Sequence, residues 1–192
     1  MCRFSKWFGL FLLVLLVTLQ TGCSDDKKAS EDLLEKGKAQ FQAGDFADSQ
    51  RTFQELLKQE QTNARGRFWL GYAYEKQRAY RLAASLYSAA LEISPEDREA
   101  RVRLARIMLM IRDDKSALTL AQQLFSKDPN DIDAIAIRAG VHALRDDFVN
   151  AKADAETVLM KVPAHLDATV LLSSIQHREG EHEKAMQTLE KG

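Results

Sequence analysis

Three clusters of side chains in this chain are of types that could do chemistry. His177 and His182 lie five residues apart in HREGEH, and paired imidazoles invite a metal reading. Asp113-Asp114 and Asp146-Asp147 are adjacent carboxylates, the raw material of an acid–base pair. Cys23, in LQTGCSDD (Leu19 to Asp26), is one of only two cysteines. The first two clusters do not develop into sites. The histidines straddle a predicted turn with no cysteine or acidic-ligand pattern around them, so no metal is expected. The aspartates read as solvated turn acids. Neither a P-loop, nor G-x-S-x-G, nor H-E-x-x-H occurs. The sequence therefore predicts no catalytic residue, no cofactor and no enzyme.

Cys23 is different because of what precedes it. Arg3 and Lys6 form a short positive head, and WFGLFLLVLLVTL (Trp7 to Leu19) is almost continuously apolar. As a helix that run spans about 20 Å, short of the ~30 Å hydrocarbon core. A positive head, a short apolar core and a small-residue exit describe a secretory signal peptide over residues 1–22. Leu19-Gln20-Thr21-Gly22-Cys23 resembles the lipobox of bacterial lipoproteins. Gln20 departs from that pattern, which has a branched apolar residue three places before the cysteine. The resemblance implies cleavage before Cys23 and acylation of its sulfur. Several acyl chains hold a protein at a membrane far longer than one can. Ser24 after the cysteine implies, by the same resemblance, sorting to the periplasmic face of the outer membrane. The other cysteine, Cys2, lies inside the part to be removed, so a disulfide has little support.

The folded body must be built from the remainder, roughly 170 residues, which suits one domain. A net charge of −1 leaves no basic footprint, and nucleic acid is not an expected partner. Residues 23–29 would be the lipidated cysteine and a short linker, holding that body close to the membrane.

Pro95, Pro129 and Pro163 are the chain's three prolines, thirty-four residues apart. With repeats beginning near 30, 64, 98, 132 and 166, the eighth place holds Gly37, Gly71, Ala105, Ala139 and Ser173. The twentieth holds Ser49, Ala83, Ala117, Ala151 and Ala185. Repeat two reads WLGYAY (Trp69 to Tyr74), then Tyr80, Ala83, Tyr87, Ala90 and Pro95. This resembles the tetratricopeptide repeat, a helix–turn–helix unit of that period. The expected fold is all-α: a right-handed superhelical solenoid of about five helix hairpins over residues 30–192. First helices are predicted near Glu31–Ala43, Arg65–Gln77, Glu99–Ile111, Asp133–Arg145 and Asp167–Glu179. Second helices are predicted near Ala47–Glu60, Arg81–Ser94, Lys115–Asp128, Val149–Val162 and from Glu183 onward. Small residues at places eight and twenty let paired helices approach. Aromatics at places seventeen and twenty-four fill the gap to the next repeat. Asp97 and Asp131 are placed to cap helices, and Gly44 and Gly180 to turn between them. Repeat five is incomplete, with Gly192 at its twenty-seventh place, so Met186 and Leu189 are expected to lack a cover. The reading that follows is a piece of a longer protein, or an end covered by something else.

Family resemblance further implies a concave, partner-binding face lined by places two, five, nine, twelve and thirteen. Those places, with Arg103 alongside, make Phe41, Arg65, Phe68, Tyr72, Lys76, Arg103, Arg106 and Met110 the expected groove. It is an aromatic and cationic strip suited to a protein or peptide with apolar anchors and some acidic residues. The chain as a whole resembles tetratricopeptide lipoproteins of bacterial envelope systems, in exopolysaccharide export, pilus assembly or secretion. The implied role is a membrane-anchored scaffold or adaptor. An alternative is the docking arm of a larger enzyme or cell-wall hydrolase or synthase complex.

Overall fold

The computed structural model describes residues 27–192, and every regular element among them is helical. The signal peptide, Cys23 and the first part of the linker lie outside the described residues. Helix α1 covers 27–42, so residues 27–29, read above as linker, are helical. Then come α2 (Phe46–Gln59), α3 (Ala64–Lys76), α4 (Tyr80–Ile93) and α5 (Arg98–Met110). The chain continues with α6 (Asp114–Phe125), α7 (Ile132–Leu144), α8 (Phe148–Lys161), α9 (Leu166–Arg178) and α10 (His182–Lys191). No helix among the described residues is long and apolar enough to cross a membrane.

Each hairpin obeys the predicted phase, with helices opening one residue before the expected place from α2 onward. The reason is local. Asp97 and Asp131 accept the backbone N–H of Ala100 and Ala134, both at 3.0 Å, which fixes where α5 and α7 begin. Asn63 and His165 do the same for α3 and α9 at the same place of their repeats, a role not read from the sequence. From α2 onward the largest departure is the end of α6, at Phe125 instead of Asp128. There the Ser126 hydroxyl donates to the Gln123 carbonyl (2.7 Å), and the Asp128 carboxylate accepts the Asn130 N–H (2.8 Å). Both are turn contacts that compete with helix.

Turns inside the hairpins share one backbone conformation. Gly44, Arg78, Arg112, Asp146 and Gly180, thirty-four residues apart, all have φ between 59° and 86°. Only two of the five are glycine, so Arg78, Arg112 and Asp146 bear the left-handed cost that glycine avoids.

The core confirms the small-residue reading. Place eight is buried in all five repeats, and so is place twenty. A Cβ on Gly37 would sit 2.5 Å from the Phe53 ring, and one on Gly71 would sit 3.1 Å from the Tyr87 ring. Repeats one and two thus pair glycine at place eight with an aromatic at place twenty-four. Repeats three and four pair Ala105 with Ala121 and Ala139 with Ala155 at the same two places. Between repeats, α5 packs directly on α7, and α7 on α9. Second helices meet first helices, and no substantial contact joins two second helices among the described residues. First helices therefore crowd together on the inside of the curve and line the concave face.

Two stability outcomes follow. Gly37→Ala drives a methyl into a fully buried ring and should cost about 1–3 kcal/mol in urea unfolding. Arg112→Gly, at an exposed left-handed turn, should raise stability by about 0.5–1 kcal/mol in the same assay.

Candidate functional site: the concave face

At the amino-terminal end of the concave face the aromatic side chains form one cluster. Phe41 lies 4.5 Å from Tyr72, 5.4 Å from Trp69 and 5.2 Å from Phe46, measured between ring centroids. Lys76 sits over the Tyr72 ring at 5.2 Å, and Lys38 over Trp69 at 5.8 Å. Contacts of this kind are worth about 0.5–1 kcal/mol each at exposed sites. Trp69, which the sequence reading treated only as part of the repeat signature, completes this cluster.

Phe68 does not belong to the groove. It is buried and packs with Ala83, Tyr87, Leu104 and Ile107. The other residues at place five in repeats one to four, Leu34, Val102 and Ala136, are buried as well. In each repeat the next repeat's first helix closes over this position, so place five is a junction between repeats and not a binding surface.

The expected cationic strip is also corrected. Arg103 lies 3.5 Å above Tyr72 and contacts the carboxylates of Glu75 (3.5 Å) and Glu99 (3.1 Å). Glu75 also accepts a 2.6 Å hydrogen bond from the Tyr87 hydroxyl. Burial first, and the Glu75 carboxylate second, push the Tyr87 phenol upward, so it stays a neutral donor. Arg106 reaches Asp133 (2.8 Å) and Asp167 (2.7 Å). Arg98 holds Asp131 (2.9 Å) and Asp133 (2.7 Å). His165 Nδ1 accepts from the Ala168 N–H, leaving Nε2 directed at Asp133, 3.7 Å away. Even Arg65, exposed on α3, has Glu31 at 3.8 Å. Of the predicted cations, only Lys76 has no carboxylate partner among the described residues. Met110, the last residue of α5, is exposed.

Asp133 is the hub of this network. The His165 imidazole 3.7 Å away, followed by the Arg98 hydrogen bond and the charge of Arg106, holds its carboxyl well below the usual carboxylate range. The sequence reading missed Arg98, Asp133, His165 and Asp167 as a group. The signal was present in their spacing: Asp133 lies 27 to 35 residues from Arg106, Arg98 and His165, one repeat along, and Asp167 lies two repeats along from Arg106.

His177 and His182 do meet, Nδ1 to Nδ1 at 3.0 Å, across the α9–α10 turn. No group of three metal-ligating side chains occurs among the described residues. Asp113 and Asp147 cap α6 and α8 by accepting the N–H of Ser116 and Asn150.

The Asp133 hub predicts a pH-dependent variant. Its folded carboxyl titrates lower than its unfolded one, so its contribution is complete above the unfolded value near 4 and is lost as pH falls through the folded value. Asp133→Asn should cost about 1–2 kcal/mol at pH 7, with the cost shrinking below about pH 4. Urea unfolding of both proteins at pH 7 and pH 3 checks this.

With the geometry in place, comparison with known proteins is informative. The tetratricopeptide repeat family matches residues 34–98 and again residues 74–140, together more than half of the chain. Among curated proteins, none matches the sequence significantly. Among solved structures, a tetratricopeptide repeat protein from Parabacteroides merdae superposes with a TM-score of 0.75 at 15% identity. The superposition covers 84% of this chain and 63% of that one. MamA from Desulfovibrio magneticus RS-1 gives 0.69 at 16% identity, over 84% of this chain and 92% of that one. YrrB, described as a TPR protein with an unusual peptide-binding site, gives 0.62 at 18%, over 86% and 89%. Identities this low speak to fold alone. Five helix hairpins in one thirty-four-residue phase among the described residues, with the family matching from repeat one into the start of repeat four, make this chain a member of the tetratricopeptide repeat family.

Proposed function

We propose that this protein is a scaffold that binds a protein or peptide partner on its concave face, at the end formed by repeats one and two. The observation carrying this is the aromatic cluster of Phe41, Trp69 and Tyr72 with Lys76 above it. It combines half-buried rings with a lysine that no carboxylate among the described residues neutralises. Arg103, stacked on Tyr72, is already occupied by Glu75 and Glu99, and Arg106, further along the face, by Asp133 and Asp167. A ligand there would have to displace ion pairs. At the aromatic end it need only stack an apolar side chain and place one acidic group near Lys76. The peptide-binding site attributed to YrrB lends support from a protein of the same fold.

The second part of the proposal is location. Acylation at Cys23 would tether the solenoid to a bacterial envelope membrane, on the periplasmic face of the outer membrane. The support is the LQTGC stretch behind a short apolar run. A tethered, partner-binding rod suits envelope assembly, in exopolysaccharide export, pilus formation or secretion.

Two experiments test these parts separately. Crosslinking in intact envelopes should capture a defined partner, and Tyr72→Ala with Lys76→Glu should reduce its yield at least tenfold while circular dichroism stays unchanged. An unchanged yield would sink the groove. Mass spectrometry of the mature amino terminus should find a diacylglyceryl adduct on Cys23; a free thiol there would end the anchoring part.

A further inference from the structure

On the convex side, the channel between α4 and α6 is floored by α5 and differs from its neighbours along the rod. Two contiguous hollows of about 370 and 520 Å³ occupy it and share Ser88, Leu104 and Leu120. Leu91 and Met108 complete an apolar lining. At the junctions on either side, other side chains fill the equivalent space. Between α2 and α4, Tyr74 rises from α3 and its hydroxyl accepts from Gln54 (3.2 Å). Between α6 and α8, Arg138 stacks on Phe125 (5.0 Å) and donates two 2.8 Å hydrogen bonds to Asp154. Ser88 and Met108 stand at the places of Gln54 and Tyr74. Ser88 is short and Met108 has no donor, so the channel stays open.

A buried charge lies at one end. Arg101 is only 9% exposed, and its guanidinium donates to neutral acceptors, the Pro95 carbonyl and the Gln123 side chain (3.1 Å). It has no ion-pair partner among the described residues. Of the acids on the outer rim at that end, Glu96 is held by Lys127 (3.0 Å) and Glu92 is exposed. Arg67, one repeat earlier, likewise donates to a carbonyl, that of Gln61, but Tyr74 fills its channel. At the other end Lys115 is exposed on α6, also with no ion-pair partner among the described residues. A guanidinium buried without a counter-ion is costly, and an incoming carboxylate would offset that cost.

We infer that this channel binds an extended segment of a partner protein carrying an acidic residue, an aliphatic residue two places on and a second acidic residue two further on. In an extended chain those three side chains share one face, and the outer two lie about 13 Å apart. The floor rises about 10 Å from Arg101 to Met108, and Lys115 stands beyond Met108 on a long stem. The first carboxylate meets Arg101, the aliphatic side chain covers Leu104 and Leu120, and the second carboxylate meets Lys115. Ser88 and Gln123 on the walls can hydrogen-bond the segment's backbone, which an acyl chain would leave unused. The channel is on the opposite side of the rod from the concave face and does not depend on it.

A fluorescein-labelled peptide, Asp-Thr-Leu-Thr-Asp, should bind the full chain saturably in anisotropy titrations. Ser88→Gln with Met108→Tyr imports the pair that fills the preceding channel, and should weaken binding by about tenfold or more. Lys115→Glu, at an exposed position that leaves folding intact, should weaken it by about fivefold. The peptide with lysine in place of both aspartates should not bind. Tyr72→Ala with Lys76→Glu should leave binding unchanged, which separates this site from the concave one. Absence of saturable binding, or binding indifferent to Lys115→Glu, would overturn the inference. Loss of binding in the Tyr72→Ala, Lys76→Glu variant would overturn it too, by moving the peptide to the concave face. So would displacement of the probe by submicellar laurate, which would give the channel to an acyl chain. A concentration-dependent dimer dispersed by Lys115→Glu would give it to a second copy, with the same consequence.

Discussion

Close approach of the two helices within a hairpin is the constraint from which the rest of the structure follows. It depends on the volume shared by places eight and twenty-four. Glycine at one admits a whole aromatic ring at the other, as at Gly37 with Phe53 and Gly71 with Tyr87. Alanine at both fills the same gap in repeats three and four. Interiors are packed near crystal density, so either arrangement tolerates little change in volume. Because each repeat solves this problem in the same phase, the hairpins stack with a constant small rotation. The first helices are then pressed together on the inside of the curve, where the concave face forms.

That crowding explains the electrostatics of the concave face. Side chains of successive first helices come within reach of one another, so carboxylates and arginines of different repeats meet. Asp133 collects Arg98, Arg106 and His165, while Arg103 is clasped by Glu75 and Glu99 over the Tyr72 ring. Desolvation favours this self-pairing: a partly buried guanidinium left alone is costly, and a neighbouring carboxylate offsets that cost. The face grades from an aromatic stretch at repeats one and two, where Lys76 has no carboxylate partner among the described residues, through the Arg103–Tyr72–Glu75 contact into a self-neutralised stretch along repeats three to five. That gradient gives the face a polarity along its length.

The ends of the rod differ for a related reason. α1 carries exposed Asp32 and Lys36 where α3, α5 and α9 carry glycine or alanine and leucine, which keeps that side of α1 solvated. α10 has no such substitution. Met186 and Leu189 remain in the pattern of an internal repeat, so the two ends are not equivalent as surfaces.

From its sequence alone the chain determined its period, its phase, the small places that let helices nest, and the caps at Asp97 and Asp131. These are local matters: a proline, a carboxylate two residues before a helix, or a small side chain acts mainly on its own turn and its nearest helix. The sequence reading failed where contacts span a repeat. Phe68 has the composition of a groove aromatic, yet the next first helix buries it. Arg103 and Arg106 have the composition of ligand-binding cations, yet carboxylates 27 to 61 residues away in the chain engage them. His165 passes for a surface histidine until Ala168 and Asp133 are seen on its two nitrogens. Which charges are spent and which rings are covered depends on side chains brought together by the stacking rotation, and only the tertiary structure decides that.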